Sequence, residues 1–343
     1  MADIESYNIL NREQKKMIFA GMSDAVVTFN ENAEITYANP AAKKIFYAGR
    51  EIDERFIRIL HEKTKQNKAF REYLIKCLED AESLEKTVVA YYNGEKKLYL
   101  EINSCHVRTD GEFSGIMLIA RDVTPEVDLK KQQHDFALIF SGLITCLTIY
   151  LYLWTYFRFT IKLAVSKSVY THMIEGIAFL LFLEIIFFTS FSPKDIGFIV
   201  KPKKIIQSVG YAFFASLIID CLLVMANVLI RAYGTPFKSY FIGGSFEAFF
   251  YYFFTALVQE FLARGVMQNT VKNIMKVKGG RVGSVIVSAL LFSLMHIPFG
   301  STFMVGAFLL SIILGTVYEI QKNLWGCIVL HWLVGYMAMA LFF

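Results

Sequence analysis

The sequence predicts an α+β soluble domain followed by an all-α polytopic membrane bundle of about seven transmembrane helices. Three observations carry that reading. The 343 residues are 55% hydrophobic, with 32 Phe and 18 Tyr, and the mean hydropathy is +0.44, too apolar for an ordinary soluble enzyme. Charge divides the chain: residues 1–135 hold 20 Lys+Arg and 23 Asp+Glu, whereas residues 136–343 hold 15 and 7, giving net charges of −3 and +8. From Phe136 to Phe157, 22 residues run without a formal charge, enough to cross a bilayer as a helix at ~1.5 Å per residue.

The positive excess of the second part lies in loops, which points to a membrane surface and not to nucleic acid. Cys77, Cys105, Cys146, Cys221 and Cys327 form no C-x-x-C pair and show no disulfide spacing, so reduced, metal-free roles are expected. The polar start, residues 1–16, lacks the apolar core of a signal peptide, which assigns the N-terminal domain to the cytoplasmic side.

Beyond that lead-in, Ala25–Asn30 is a short β-rich run, Glu31–Ala33 is turn-like and Glu34–Ala38 alternates as a second strand, together a hairpin. Asn39-Pro40 opens a short helix through Ala41, Ala42, Ile45 and Phe46, with Asn39 as its cap and Pro40 in the first turn. The charged region from Arg50 to Lys86 reads as further helix and loop. Three strands close the domain: Thr87–Tyr92, a turn at Asn93-Gly94, Lys97–Val107, a turn at Asp110-Gly111, and Gly115–Arg121.

This order over residues 17–124 resembles a PAS sensor domain, through Asp24–Phe29, Tyr37-Ala-Asn-Pro-Ala-Ala42, Phe46 and Ala120-Arg-Asp-Val-Thr124. The resemblance implies a domain that binds a small ligand or cofactor, or dimerises, and passes the change to an attached effector. Cys77 lacks a flavin-type context, and His61 and His106 are the haem candidates. A lone His in such a domain is more often a surface or packing residue, so neither haem nor flavin is expected and the ligand is left open.

Residues 125–135 form a charged helical connector. In the membrane domain, residues 136–343, spans are expected at Phe136–Phe157, Val169–Phe191, Ile205–Ile230, Phe246–Thr270, Val282–Phe299, Ser301–Tyr318 and Asn323–Phe343. Seven spans from a cytoplasmic N-terminus put the C-terminus on the opposite side. Lys194, Lys201, Lys203, Lys204, Lys272, Lys276, Lys278 and Arg281 then fall inside, against Arg158, Lys162, Lys167, Arg231 and Lys238 outside, as the positive-inside rule favours. The expected location is the plasma membrane of a bacterium.

The chemistry concentrates in three stretches: Gln259-Glu-Phe-Leu-Ala-Arg264, Phe292-Ser-Leu-Met-His296 and His331-Trp-Leu-Val-Gly335. An ionisable group near the bilayer centre costs ~2.5–3.5 kcal/mol, so such residues face a bundle interior and are functional candidates. Glu260 and Arg264 stand at i,i+4 and can pair. Singly, that pair can be structural, and a lone intramembrane His can simply donate to a backbone carbonyl. Together, on three spans, they ask for a shared polar site.

Residues 136–343 resemble the CPBP family. Its intramembrane glutamic proteases include the CAAX-prenyl endopeptidase and bacteriocin-processing or self-immunity proteins. The family pattern is Glu-Glu-x-x-x-Arg, Phe-x-x-x-His and His-x-x-x-Asn or Asp. Ser192-Pro-Lys-Asp-Ile-Gly197 and Asn323-Leu-Trp-Gly326 fit its context. The resemblance implies that position 259 and His296 activate a water, that His331 and position 335 stabilise the oxyanion, and that Arg264 anchors Glu260. Phe292 belongs to the second motif.

The sequence departs from that pattern twice. Gln259 can orient a water but cannot take its proton, and Gly335 has no side-chain donor. Losing an oxyanion donor typically costs ~10²–10³ in rate and losing a general base at least ~10². Three explanations stand: an inactivating change from Glu at 259, a natural pseudoprotease, or Glu260 as the base, although it points about 100° round the helix from position 259. A zinc site is disfavoured by the charge of Arg264, and proteolysis of this type needs no cofactor.

The expected function is therefore a PAS-regulated intramembrane glutamic endopeptidase, weakened or inactive as written. The alternative is a non-catalytic membrane module that binds a partner or lipid under PAS control. Expected partners are a membrane protein or membrane-anchored peptide as substrate, the lipid bilayer, and a second copy through the PAS domain, with no nucleic acid.

Overall fold

A computed structural model describes residues 12–32, 34–48, 67–79, 86–109, 112–233, 246–275 and 279–342. The lead-in up to residue 11, His61, most of the Arg50–Lys86 region and the turn at Asp110-Gly111 lie outside the described residues. The chain divides into two units, Met1–Lys130 and Lys131–Phe343.

In the first unit, α1 (Arg12–Gly21) precedes β1 (Ala25–Phe29) and β2 (Ile35–Ala38); α2 (Pro40–Tyr47) and α3 (Lys68–Glu79) precede β3 (Thr87–Tyr92), β4 (Lys97–Thr109) and β5 (Glu112–Asp122). The five strands form one antiparallel sheet in the order β2-β1-β5-β4-β3. Strand alternation sends Ala25, Val27 and Phe29 of β1, Leu98, Leu100 and Ile102 of β4, and Ile116, Leu118 and Ala120 of β5 into one core. Ala42, Ile45 and Phe46 of α2 and Phe70, Tyr73 and Leu74 of α3 cover that face. Phe46, Phe70 and Tyr91 meet with ring centroids 4.9 to 5.6 Å apart, a geometry that adds edge-to-face attraction to apolar burial.

The turn into α2 is held by Asn39, which is fully buried. Its Oδ1 accepts from Ala42 N at 2.8 Å and Val26 N at 3.0 Å. Its Nδ2 donates to Phe19 O and Asp24 O, each at 2.9 Å. One side chain thus caps a helix and ties α1, β1 and α2 together. Strands β4 and β5 run longer than their alternation suggested because each completes the other's hydrogen bonds out to Thr109↔Glu112.

In the second unit the helices are α4 (Thr124–Thr155, its first turns in the first unit), continued by a π-helical turn Tyr156–Ile161; α5 (Lys167–Phe188); α6 (Pro202–Ala232); α7 (Phe246–Glu260), continued by a π-helix Phe261–Gln268 and α8 (Asn269–Ile274); α9 (Gly280–Leu294); α10 (Ser301–Gln321); and α11 (Trp325–Phe342). The expected connector and first span are thus one helix. Among the described residues, five helices are long and apolar enough to cross a membrane: those beginning at Thr124, Lys167, Pro202, Ser301 and Trp325. With them the chain reads as an integral membrane protein.

The span expected over Val282–Phe299 is corrected. Helix α9 has 15 residues and stops at Leu294, and Ile297–Phe299 is a separate 3₁₀ turn. Pro298 has no N–H to offer the Leu294 carbonyl and its ring would clash there, so the helix cannot run on. His296 consequently sits in the bend after α9, not inside a span. Helix α11 packs on α6, α7 and α10, while α9 packs on α10 and on the π-helix.

Two segments noted in the sequence meet at the start of α11. Leu324 N donates to Gly197 O at 3.1 Å, Tyr318 Oη donates to Ile196 O at 3.1 Å, and Trp325 Nε1 donates to Phe198 O at 3.0 Å. Gly197 has φ +74°, and a Cβ there would stand 2.9 Å from Asn323 Cα. Only glycine allows both the left-handed turn and that approach, which fixes the end of α11 that leads to His331.

Candidate active site

Helix α7 turns Phe246, Phe250 and Phe254 outward. The opposite face carries Thr255, Ala256, Gln259 and Glu260 inward. The π-helix that follows buries every residue from Leu262 to Gln268. π-helical turns often mark functional sites, and this one begins directly after Glu260.

All five polar side chains singled out in the sequence are shielded by protein: Glu260 and Arg264 are 0% exposed, His331 3%, His296 4% and Gln259 7%. Glu260 divides its carboxylate. Oε2 accepts from Arg264 Nε at 3.1 Å, and Oε1 lies 2.8 Å from His331 Nδ1. Arg264 spends its remaining nitrogens on Gln268 Oε1 at 3.1 Å and Ser311 Oγ at 2.6 Å. Gln268 Nε2 in turn donates to Gly315 O at 3.0 Å. Residues 260, 264 and 268 therefore make an i,i+4 ladder whose far side is α10 and whose near end holds the imidazole of α11. A buried charge is tolerated when it is paired and hydrogen-bonded in this way.

His296 is oriented independently. Its Nδ1 lies 2.9 Å from Phe292 O. A carbonyl can only accept, so Nδ1 carries the proton and Nε2 keeps its lone pair in the neutral ring. The same logic applies to His331 against the Glu260 carboxylate. The Phe292 ring is close to both imidazoles, 4.7 Å from His296 and 6.3 Å from His331. Phe303 stacks on His296 at 5.5 Å. From α4, Tyr150 Oη donates to Met295 O at 2.8 Å, pinning the residue before His296.

Gln259 has no side-chain hydrogen bond among the described residues, and Gly335 faces His331 Cδ2 and Tyr252. The stretches on three separate elements thus converge around Glu260, Phe292 and His331. Among the described residues, no group of three or more His, Cys, Asp or Glu is placed to hold a metal ion. In the first unit, His106 Nε2 donates to Cys77 O at 3.1 Å.

Residues 242–337 match the model of the family described as type II CAAX prenyl endopeptidase Rce1-like, and residues 23–125 match a PAS domain model. The chain carries a PAS domain and an Rce1-like region of the CAAX-protease (CPBP) family. No curated protein matches it. Among solved structures, the one titled "Structure of an RNA-binding Light-Oxygen-Voltage Receptor" is 17% identical with a TM-score of 0.30, and the match covers 37% of this chain and 37% of that one. At that score the likeness has no bearing on function.

The Rce1-like region spans every residue of the three stretches. Sequence spacing suggested the Glu260–Arg264 pair. It did not suggest that Glu260 would also hold His331, which lies 71 positions away, nor the parts taken by Gln268, Ser311 and Tyr150. Only Gln268 had a local signal, its place four residues after Arg264.

Proposed function

We propose that the Rce1-like region is an intramembrane glutamic endopeptidase controlled by the PAS domain and weakened, as written, by Gln259. The observation that carries this is the ordering of two buried imidazoles, one by a backbone carbonyl and one by Glu260, each leaving Nε2 with a lone pair. In the proposed reaction the Gln259 amide and His296 hold a water between them. His296 Nε2 takes a proton as the water oxygen attacks the scissile carbonyl carbon, then returns it to the leaving amine when the C–N bond breaks. Glu260 orients His331 and neutralises Arg264; with both oxygens engaged it is poorly placed to activate water itself.

Seven crossings are proposed, with α7 to α8 and the short α9 added to the five long helices, the PAS domain cytoplasmic and the C-terminus on the opposite side. The substrate is a membrane protein or membrane-anchored peptide. Control is proposed to run along α4, which follows β5 after one residue and places Tyr150 on the carbonyl of Met295. A ligand-dependent or dimer-dependent shift of that helix would displace His296 from the water.

The test is cleavage of membrane-anchored substrates in proteoliposomes. Gln259→Glu restores a carboxylate base and is expected to raise the rate by ~10²-fold or more, with His296→Ala abolishing the gain. The engaged state of Glu260 and the amide at 259 also fit a second reading, a non-catalytic module that captures a membrane partner or lipid. Its signature is no cleavage by Gln259→Glu in any PAS state, with partner capture indifferent to His296→Ala and His331→Ala.

A further inference from the structure

We infer that Tyr252 supplies the oxyanion hydrogen bond that Gly335 cannot, an assignment that rests on the proteolytic reading above. A Cβ built at Gly335 would stand 2.4 Å from Tyr252 Oη, 3.1 Å from Tyr252 Cε1 and 3.0 Å from His331 Cδ2. In an asparagine the terminal amide atoms lie about 2.4 Å from their own Cβ, two bonds away. The phenol oxygen therefore occupies the shell around position 335 in which the family's amide or carboxyl group would lie. It arrives there from a different helix.

Tyr252 comes from α7, two turns before Gln259 and Glu260, on the face turned to α11. Its ring meets His331 edge-on with centroids 6.0 Å apart. Cδ2 of an imidazole is bonded to Nε2, so the hydroxyl lies beside the edge of His331 that Glu260 leaves free. Among the described residues, no group hydrogen-bonds to this hydroxyl. Tyr252 is half-buried, and a phenol O–H without a protein partner is free to donate to a ligand.

The hydrogen inventory makes the same case. With its Nδ1–H committed to Glu260, a His331 ring in that tautomer has an Nε2 that accepts and so does not take the oxyanion role the resemblance implied. Gly335 contributes nothing, and His296 uses its N–H on Phe292 O. Tyr252 Oη–H is the side-chain donor left at this edge for a developing alkoxide. A Cβ at 335 would collide with the phenol as it stands, so the glycine leaves the room that the tyrosine occupies.

The experiment compares variants in the Gln259→Glu protein in proteoliposomes. Tyr252→Phe keeps the ring and is expected to lower kcat by ~10²–10³ with little change in KM. Tyr252→Ala with Gly335→Asn makes room for an amide and is expected to regain at least tenfold, by the same reasoning, over Tyr252→Ala alone. Separately, the protein as written is titrated with a peptidyl trifluoromethyl ketone, whose hydrate presents a tetrahedral oxygen; Tyr252→Phe is expected to weaken binding about tenfold or more. Cleavage and binding that are both indifferent to Tyr252→Phe overturn the assignment and leave the proteolytic reading standing. Absence of cleavage by Gln259→Glu together with absence of ketone binding overturns both.

Discussion

Glu260→Leu is expected to destabilise the membrane unit by about 3–5 kcal/mol, the cost of leaving one member of a buried ion pair without its counter-charge. Arg264 is fully buried and would keep only Gln268 and Ser311 as partners, neither of which carries charge. Leucine matches the volume, so the loss reports electrostatics and not a cavity. The double variant Glu260→Leu with Arg264→Met removes both charges and is expected to recover most of that stability, since replacing a whole buried pair by apolar residues is often neutral. It is not expected to recover cleavage in the Gln259→Glu background, because His331 would have lost its orienting carboxylate. Unfolding of the variants in detergent checks this. A single-variant loss under about 1 kcal/mol would mean that Arg264 is solvated and the pair marginal.

A second large effect lies in the PAS domain. Asn39→Ala is expected to cost about 3–4 kcal/mol, since it removes a helix cap and takes a hydrogen-bond partner from four backbone groups, two of them buried amides. The groups are Val26 N, Ala42 N, Phe19 O and Asp24 O. Asn39→Asp keeps both acceptor contacts but sets a buried carboxylate oxygen against the Phe19 and Asp24 carbonyls, so it is also expected to destabilise. Hydrogen exchange in the full-length chain reads the effect locally: the amides of Val26 and Ala42 should lose protection. Unchanged protection in Asn39→Ala would show that water replaces the amide at no cost.

Much of the PAS domain was legible because its information is local. Period-two alternation marks the buried face of β1, β4 and β5, and Asn39-Pro40 marks a helix start by its own chemistry. The membrane part was legible only as far as one helix at a time. Glu260 and Arg264 were readable as neighbours because the helical period makes them so. The hold of Glu260 on His331, of Arg264 on Ser311 and of Tyr150 on Met295 depends on how separate helices pack, which no periodicity encodes. Hydropathy also set a limit: from Val282 to Phe299 it sees an apolar run, whereas Pro298 ends the helix early and leaves His296 in a bend. The replacement of a missing side chain at 335 by a tyrosine from α7 is of the same kind, since two positions distant along the chain become neighbours only in three dimensions.

Solid-state NMR of labelled protein reconstituted in lipid reads the dipolar contact between Glu260 Cδ and His331 Nδ1. A contact at hydrogen-bonding range is expected, with Nδ1 protonated and Nε2 unprotonated in both His331 and His296. No Glu260–His331 contact, or imidazole resonances that exchange freely with bulk water, would contradict a single lipid-sheltered site built from the three stretches.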